Sequence, residues 1–472
     1  MNVLLITLDQ FRGDCLSVAG HPVVRTPQLD RLAAGGVRLT HHYSQAAPCA
    51  PGRACLYTGT YQLNNRVVAN GTPLDHRFDN VARVARRAGY RPVLFGYADQ
   101  SIDPRHTNGP DDPRLSNYQG VPPGFDVELE LLDEQVAWRA WLETLGYGTF
   151  PHGDAALASE PDRPDHHGVS AFLTDRLIEW LDRQDSPWFA HASYWRPHPP
   201  YAAAGRWARA YDPAGVPAPV PPGTGGHPSF GHVEPEAAPP DVAGLRSQYF
   251  GMISDVDHQL GRLWDALAER GMWDDTVIIV TSDHGELLGD HGLVGKGGFF
   301  EESYRVLGIV RDPRSPACHG TTVEAFTENV DILPTICDAI GQPIPAQCDG
   351  LPLTPFLEGQ SPPWWRDAAH WEFDWRWEHV GRGQEWPWDR RLERQHLAVL
   401  RSATAAYVQF GSGDWRCFDL AADPTWRTPV TDPTVVLSHA QDMLTWRSEH
   451  AERTLTDMLL FAGGMGRWPT PL

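Results

Sequence analysis

Asn2–Leu8 (NVLLITL) is apolar almost without a break and rich in β-branched side chains. That pattern predicts a strand buried on both faces of a parallel sheet. Thr276–Thr281 (TVIIVT) repeats it, and Arg91–Gly96 and Trp188–Ala192 read as further strands. Between them the spacing changes. Val169–Arg183 and Val242–Arg270 carry apolar residues at helical intervals, the second ended by Gly271, and Val81–Ala88 reads as a shorter helix. Thr26-Pro27 starts another helix, with Thr as N-cap and Pro at the first helical position, and Gly35-Gly36 stops it after Ala34. Val330–Ile340 is helical, with Pro334 in its first turns. Strands alternating with helices predict an α/β fold, a large mixed but mostly parallel sheet sandwiched by helices. Chemistry in such sheets collects beyond the carboxyl ends of strands. Two strands end there in polar pairs: Asp9-Gln10 after the first, and Asp283-His284 after Thr276–Thr281.

The texture shifts after about residue 355. Trp364, Trp365, Trp371, Trp375, Trp377, Trp386 and Trp388 crowd one stretch. Leu397–Phe410 and Trp415–Leu420 read as antiparallel strands, and Val435–Leu460 as a helix. The expected division is a catalytic domain over 1–355 and a smaller α+β subdomain over 356–472. The tryptophans read first as a packed core or interface and second as the lining of an aryl pocket. Ala203–Ala238, rich in Pro and Gly, reads as a long ordered loop.

Charge narrows the range of partners. Sixty Asp+Glu against 39 Lys+Arg give a net charge of −21. A chain so acidic is poorly suited to sequence-independent nucleic-acid binding, which needs a basic surface. No apolar run is long enough to span a bilayer, and no basic leader with an apolar segment precedes the first strand, so a cytoplasmic protein is expected. Seven cysteines, an odd number without CxxC pairs, read as reduced thiols. Among the 39 cationic residues only Lys296 is lysine. A compact ammonium does what a guanidinium cannot, which makes this position a candidate for chemistry.

The central motif is Cys49-Ala50-Pro51-Gly52-Arg53. It precedes a short helix-like run, Ala54–Thr58, so Cys49 would feel the positive end of a helix dipole with Arg53 one turn away. Alone, the pentapeptide also describes an ordinary thiol at a Pro-Gly turn. Asp9, Gln10, Asp283 and His284 offer three oxygens and one imidazole, a donor set suited to one divalent metal: Mn2+, Ca2+ or Mg2+, with Zn2+ also compatible. Lys296 and His198, the latter within Trp195-Arg196-Pro197-His198-Pro199-Pro200, are candidates for contacting substrate oxygens and protonating a leaving group. Asn70 is a candidate donor to a non-bridging oxygen, and Tyr97 reads equally as a substrate contact or a core tyrosine. His41 and His42 read as packing residues, and Asp290-His291 as residues that shape a loop.

Here the chain resembles the sulfatase branch of the alkaline-phosphatase superfamily. The resemblance rests on the C-x-P-x-R match at Cys49–Arg53 within Ser44–Gly59, and on His21–Gly36, Gly285–Lys296, Asn329–Thr335 and Cys417–Pro424. The finer resemblance, through Asp9-Gln10, Asp283-His284 and Asn70–Leu74, is to phosphonate monoester hydrolases and related phosphodiesterases; choline sulfatases share part of the pattern. It implies an alkaline-phosphatase-like fold and oxidation of Cys49 to Cα-formylglycine by a formylglycine-generating enzyme. The hydrated aldehyde would then attack a small anionic ester while residue 49 also ligates the metal, and Arg53 would orient the diol. A homo-oligomer is expected from the same relatives. The expected activity is hydrolysis of phosphonate monoesters and phosphodiesters, extending to sulfate esters. The alternatives are an arylsulfatase, a phosphodiesterase with unmodified Cys49, or a non-catalytic binding protein. One position departs from the pattern: Asp99 stands where the family has a Thr facing the anionic oxygens, which puts the preferred substrate charge in question.

Overall fold

The computed structural model describes residues 1–185, 187–227, 236–375 and 394–450, together with the backbone of 458–461 and 464–467. Its first sheet has eight strands: β1 (Asn2–Leu8), β2 (Val37–Tyr43), β3 (Pro92–Gly96), β4 (Asp126–Glu130), β5 (Phe189–Tyr194), β6 (Thr276–Thr281), β7 (Gly308–Arg311) and β8 (Thr321–Glu328). They lie in the order β4-β3-β5-β1-β6-β7-β2-β8. Only β7 runs antiparallel to its neighbours, β6 and β2. The sheet is therefore mixed and mostly parallel, the class expected from the sequence.

The period of two explains how the apolar strands are used. Leu4, Ile6 and Leu8 of β1 pack with Ile278 and Val280 of β6 on one face. Val3 and Leu5 pack with Val277 and Ile279 on the other. Helices close both faces. The long helix Val242–Glu269 contributes Phe250, Ile253, Val256, Leu260 and Leu263 to the first core. The helix Ile332–Ile340 contributes Ile332, Leu333 and Ile336 to the second. A strand covered on both sides has no polar face to alternate, which is why it reads as a continuous apolar run.

A second, antiparallel sheet follows, β9 (Ala368–Asp374), β10 (His396–Ser402), β11 (Ala405–Phe410) and β12 (Trp415–Asp419), in the order β12-β11-β10-β9. Its core is continuous with the end of the first sheet. Trp371 stacks on Tyr43 and Tyr304, and its indole N–H donates to the Phe299 carbonyl. Trp375 packs in the same cluster, whereas Trp364 is exposed. Trp377, Trp386 and Trp388 lie outside the described residues.

Two expectations need correcting. The helix Pro27–Ala34 forms as read, but Thr26 makes no side-chain cap. Asp257, from the long helix, accepts from the backbone N–H groups of Gln28 and Leu29 at 3.1 and 2.7 Å instead. A tertiary carboxylate has replaced the local hydroxyl at the positive helix end. The C-terminal helix spans Pro433–Glu449 rather than reaching Leu460. Met458–Phe461 is β13, paired antiparallel with β14 (Gly464–Arg467). No helix among the described residues is long and apolar enough to cross a membrane.

Candidate active site

The carboxyl ends of β1 and β6 lie side by side because Asn2–Thr7 pair in register with Thr276–Thr281. The register carries Asp9 and Asp283 to the same edge of the sheet. Gln10 follows at a positive φ of 67°, a left-handed turn that is costly for a side-chain-bearing residue and typical of functional sites. Tyr249 and Asp283 hold this turn. The Tyr249 hydroxyl donates to the Gln10 carbonyl at 2.7 Å, and the Gln10 N–H donates to Asp283 Oδ1 at 3.2 Å.

The third element is the helix Cys49–Thr58, every residue of which is buried. Gly52 lets it approach. A Cβ there would lie 2.4 Å from the Asp283 carbonyl oxygen and 2.9 Å from that of Ala46. Cys49 thus sits at the helix N-terminus against the strand ends, as its motif suggested.

Asp9, Cys49, Asp283 and His284 each present one ligand atom, all within 4.8 Å of one another. Cys49 Sγ is 3.4 Å from His284 Nε2. His284 Nδ1 lies 3.0 Å from the Gly285 carbonyl, which can only accept, so Nδ1 carries the proton and Nε2 turns its lone pair inward. Gln10 Oε1 accepts from Lys296 Nζ at 3.0 Å, and the same ammonium lies 3.3 Å from Cys49 Sγ. Asp9 Oδ1 is fully buried without a hydrogen-bond partner. A buried carboxylate oxygen left unpaired costs free energy unless something positive meets it. The donors, the inward tautomer and the unpaired oxygen together fit a divalent cation.

Arg53 clamps the two carboxylates from behind. It is wholly buried, with Nε 3.0 Å from Asp283 Oδ2 and Nη2 3.1 Å from Asp9 Oδ2. Its Nη1 donates to the Tyr97 carbonyl and to Ser193 Oγ. These bonds face the protein, so its contribution to residue 49 is charge balance through the carboxylates. Tyr97 is likewise 2 % exposed. Its hydroxyl donates to Asp9 Oδ2, and its ring lies 4.2 Å from the Arg53 guanidinium carbon. It orients Asp9 from inside the core.

Electrostatics follow from crowding. Burial opposes ionisation of Asp9, but His198, His284, Lys296 and Arg53 outweigh it and hold the carboxyl below its usual range. Asp283 is pushed up by burial and by Asp9, two carboxylates resisting joint ionisation. Burial raises the Cys49 thiol, reinforced by Asp9. Burial disfavours the Lys296 ammonium, yet Cys49, Asp9 and Asp283 hold its pKa above the usual value. Burial and Lys296 lower His198 to about 4. Its Nδ1 meets the Pro199 carbonyl at 2.8 Å, which aims Nε2 away from that carbonyl.

Asn70 Oδ1 accepts from the Ala50 N–H at 2.9 Å, which leaves the amide nitrogen as the donor beside the helix Cys49–Thr58. Asp99, at φ 51° and 3 % exposed, accepts from Gln119 Nε2 at 3.2 Å. Burial, joined by Asp9, raises it to about 7. Asp290 is bound by Arg12 and Arg246 at 2.6 and 2.5 Å and shapes its loop. His42 is buried between Thr327 and Asn329 as a packing residue. Sequence reasoning did not single out Ser193, which meets Arg53, or Glu286, which meets Gln10. Glu286 lies inside the conspicuous stretch Gly285–Lys296, where a carboxylate beside Leu287-Leu288 was the available signal.

This fold and strand-edge constellation are those of a hydrolase of ester bonds. The sulfatase family model matches residues 1–342, and the model for the C-terminal region of N-sulphoglucosamine sulphohydrolase matches 289–435. The chain belongs to the sulfatase family of the alkaline-phosphatase superfamily and is a hydrolase of ester bonds. It is 35% identical to a multifunctional alkaline phosphatase superfamily protein, PehA, of Trinickia caryophylli, over 96% of each chain. Two solved structures resemble it over 99% of both chains. The phosphonate monoester hydrolase of Agrobacterium radiobacter has 40% identity and a TM-score of 0.88. That of Silicibacter pomeroyi has 34% identity and a TM-score of 0.87.

Proposed function

We propose that the protein hydrolyses phosphonate monoesters and phosphodiesters, and sulfate esters besides, with residue 49 acting as a formylglycine made from Cys49. The observation that carries this reading is the buried cluster of Asp9, Asp283 and His284 around Cys49, with Asp9 Oδ1 unpaired. Full-length similarity to two phosphonate monoester hydrolases supports the substrate class.

Asp9, Gln10, Asp283, His284 and residue 49 would hold one divalent ion, Mn2+, Ca2+ or Mg2+, with Zn2+ compatible. When bound, the ion supplies charge neutralisation and Lewis acidity at the ester's oxygens. The aldehyde, once hydrated, supplies two hydroxyls on one carbon: one to bond phosphorus or sulfur, the other to expel the acid product without water reaching that centre. The remaining roles belong to side chains already in place. Lys296 sets a positive charge between Gln10 and residue 49, where the anionic oxygens of an ester gather. Asn70 directs its amide donor to a non-bridging oxygen. His198 is neutral at pH 7 in the protein alone, since its pKa is about 4. An ester anion between it and Lys296 would raise that value, and the imidazolium could then protonate the leaving oxygen through Nε2. Asp99 adds negative charge as it ionises near pH 7, which favours monoanionic esters over dianions. A formylglycine-generating enzyme is the maturation partner, and the expected oligomer is of identical chains.

The test combines mass and kinetics. The peptide containing residue 49 should be lighter by about 18 Da than its thiol form. The ratio of kcat/KM should favour p-nitrophenyl phenylphosphonate and a phosphodiester over p-nitrophenyl sulfate. Full activity with an intact thiol would assign the reaction to unmodified Cys49, and preference for the sulfate would make the protein an arylsulfatase.

A further inference from the structure

Gln10 is the one amide in a ligand set otherwise made of carboxylates, an imidazole and residue 49. An amide presents an oxygen to a cation only when its nitrogen is directed elsewhere, because either end can face inward at nearly equal steric cost. Two neighbours remove that freedom. Lys296 Nζ, which can only donate, lies 3.0 Å from one end of the amide and fixes it as Oε1. Glu286 Oε2 meets the other end and fixes it as Nε2. Glu286 is wholly buried, and its second oxygen is occupied: Oε1 accepts from the Leu288 and Gly295 backbone N–H groups at 3.0 and 2.6 Å. Every polar atom of this carboxylate therefore serves as an acceptor.

We propose that Glu286 is the positioning residue that turns the Gln10 carbonyl oxygen toward the cation site and prevents the amide from flipping. The inference rests on the metal-site reading given above. It goes beyond that reading because Glu286 touches neither residue 49 nor an ester.

The acceptor count yields a sharp variant. In Glu286→Gln, one side-chain oxygen must serve the Leu288 and Gly295 N–H groups, which leaves an NH2 facing Gln10. Two NH2 groups cannot face each other, so Gln10 rotates, offers its oxygen to residue 286 and turns its own NH2 toward the cation site and Lys296. The loop keeps its backbone partners while the ligand oxygen is lost. The double variant Gln10→Glu/Glu286→Gln restores the match. The amide at 286 donates to one oxygen of the new carboxylate, and the other oxygen faces the cation.

The experiment is titration calorimetry of metal-stripped protein with Mn2+ alone at pH 8, beside melting temperatures without metal. Wild type should bind one Mn2+. Glu286→Gln should bind it 10- to 100-fold more weakly, as loss of an outer partner of a ligand typically does, with an unchanged metal-free melting temperature. The double variant should recover most of the affinity. If Glu286 only braces its loop, Glu286→Gln binds Mn2+ as wild type does, and the proposal is overturned. It is overturned as well if the double variant binds no better than Glu286→Gln. Failure of wild type to bind a divalent ion would instead refute the metal-site reading itself.

Discussion

Among the described residues, Arg366 and Arg53 each hold a pair of buried carboxylates, and the two clusters end differently. Between the two sheets, Arg366 meets Asp331 and Glu328. Asp331 Oδ1 accepts from Arg366 and the Leu351 N–H, and Oδ2 from Arg366 and the Glu328 N–H. Glu328 Oε1 accepts from the His370 N–H, and Oε2 lies 2.5 Å from the Tyr61 hydroxyl and 3.2 Å from Arg366 Nε. Every oxygen is met. At the end of β1 and β6, Arg53 serves Asp9 and Asp283 in the same manner, but Asp9 Oδ1 has no partner, and a thiol, an imidazole and an ammonium gather near it. The shared core of two carboxylates, one arginine and one tyrosine hydroxyl does not separate the two clusters. Completion of the hydrogen bonds does: the first is a finished joint, and the second leaves one buried carboxylate oxygen unmatched.

The largest effects should come from removing each arginine. Arg366→Met strands two buried carboxylates and should cost about 3–5 kcal/mol in urea unfolding, with or without Mn2+. Arg53→Met should cost a similar amount without metal and regain part of it when Mn2+ is added. An equal response of both variants to Mn2+ would erase the distinction. Asp9→Asn should lower kcat/KM by roughly 10³-fold and abolish the Mn2+-induced rise in melting temperature, yet leave the metal-free melting temperature close to wild type. Asp255 supplies a third kind of buried carboxyl, with no arginine hydrogen-bonded to it; Gln259 Nε2 is 3.4 Å away. Burial, reinforced by Glu160, raises its pKa to about 8. A carboxyl that binds its proton more tightly when folded stabilises the protein fully below about pH 4, and that contribution fades as pH rises toward 8. Asp255→Asn should therefore flatten the decline in unfolding free energy between pH 5 and 8, by up to about 1.4 kcal/mol per pH unit. Chelation should destabilise wild type by about 2.7 kcal/mol relative to Mn2+ at a hundredfold excess over Kd, and Asp9→Asn not at all. Smallest of all, Asp99→Thr should lower KM for a dianionic phosphate monoester about tenfold at pH 8 and leave a diester nearly unchanged, corresponding to ~1.4 kcal/mol of repulsion removed.

The sequence disclosed what burial makes uniform. β1 and β6 are legible because both faces are covered, and their ends delivered Asp9 and Asp283 to one edge. β4 and β7 were not legible. Asp126–Glu130 is a charged edge strand, and Gly308–Arg311 has only four residues, too short for a period to show. The cap of Pro27–Ala34 was not legible because its acceptor, Asp257, is remote in sequence. The ligand candidates were readable from strand ends and motif. The partners that orient them, Tyr97 on Asp9, Ser193 on Arg53 and Glu286 on Gln10, depend on side-chain directions that no spacing rule encodes.

The solitary lysine has a practical side. Apart from the terminal amine, Lys296 Nζ is the one primary amine the chain offers to an acylating or reductive-alkylation reagent, and it stands 3.3 Å from Cys49 Sγ. Internal labelling with such a reagent therefore reports on exposure of this single locus, and an amine-coupled support, which cannot reach a buried ammonium held by Gln10 and Cys49, attaches through the terminal amine.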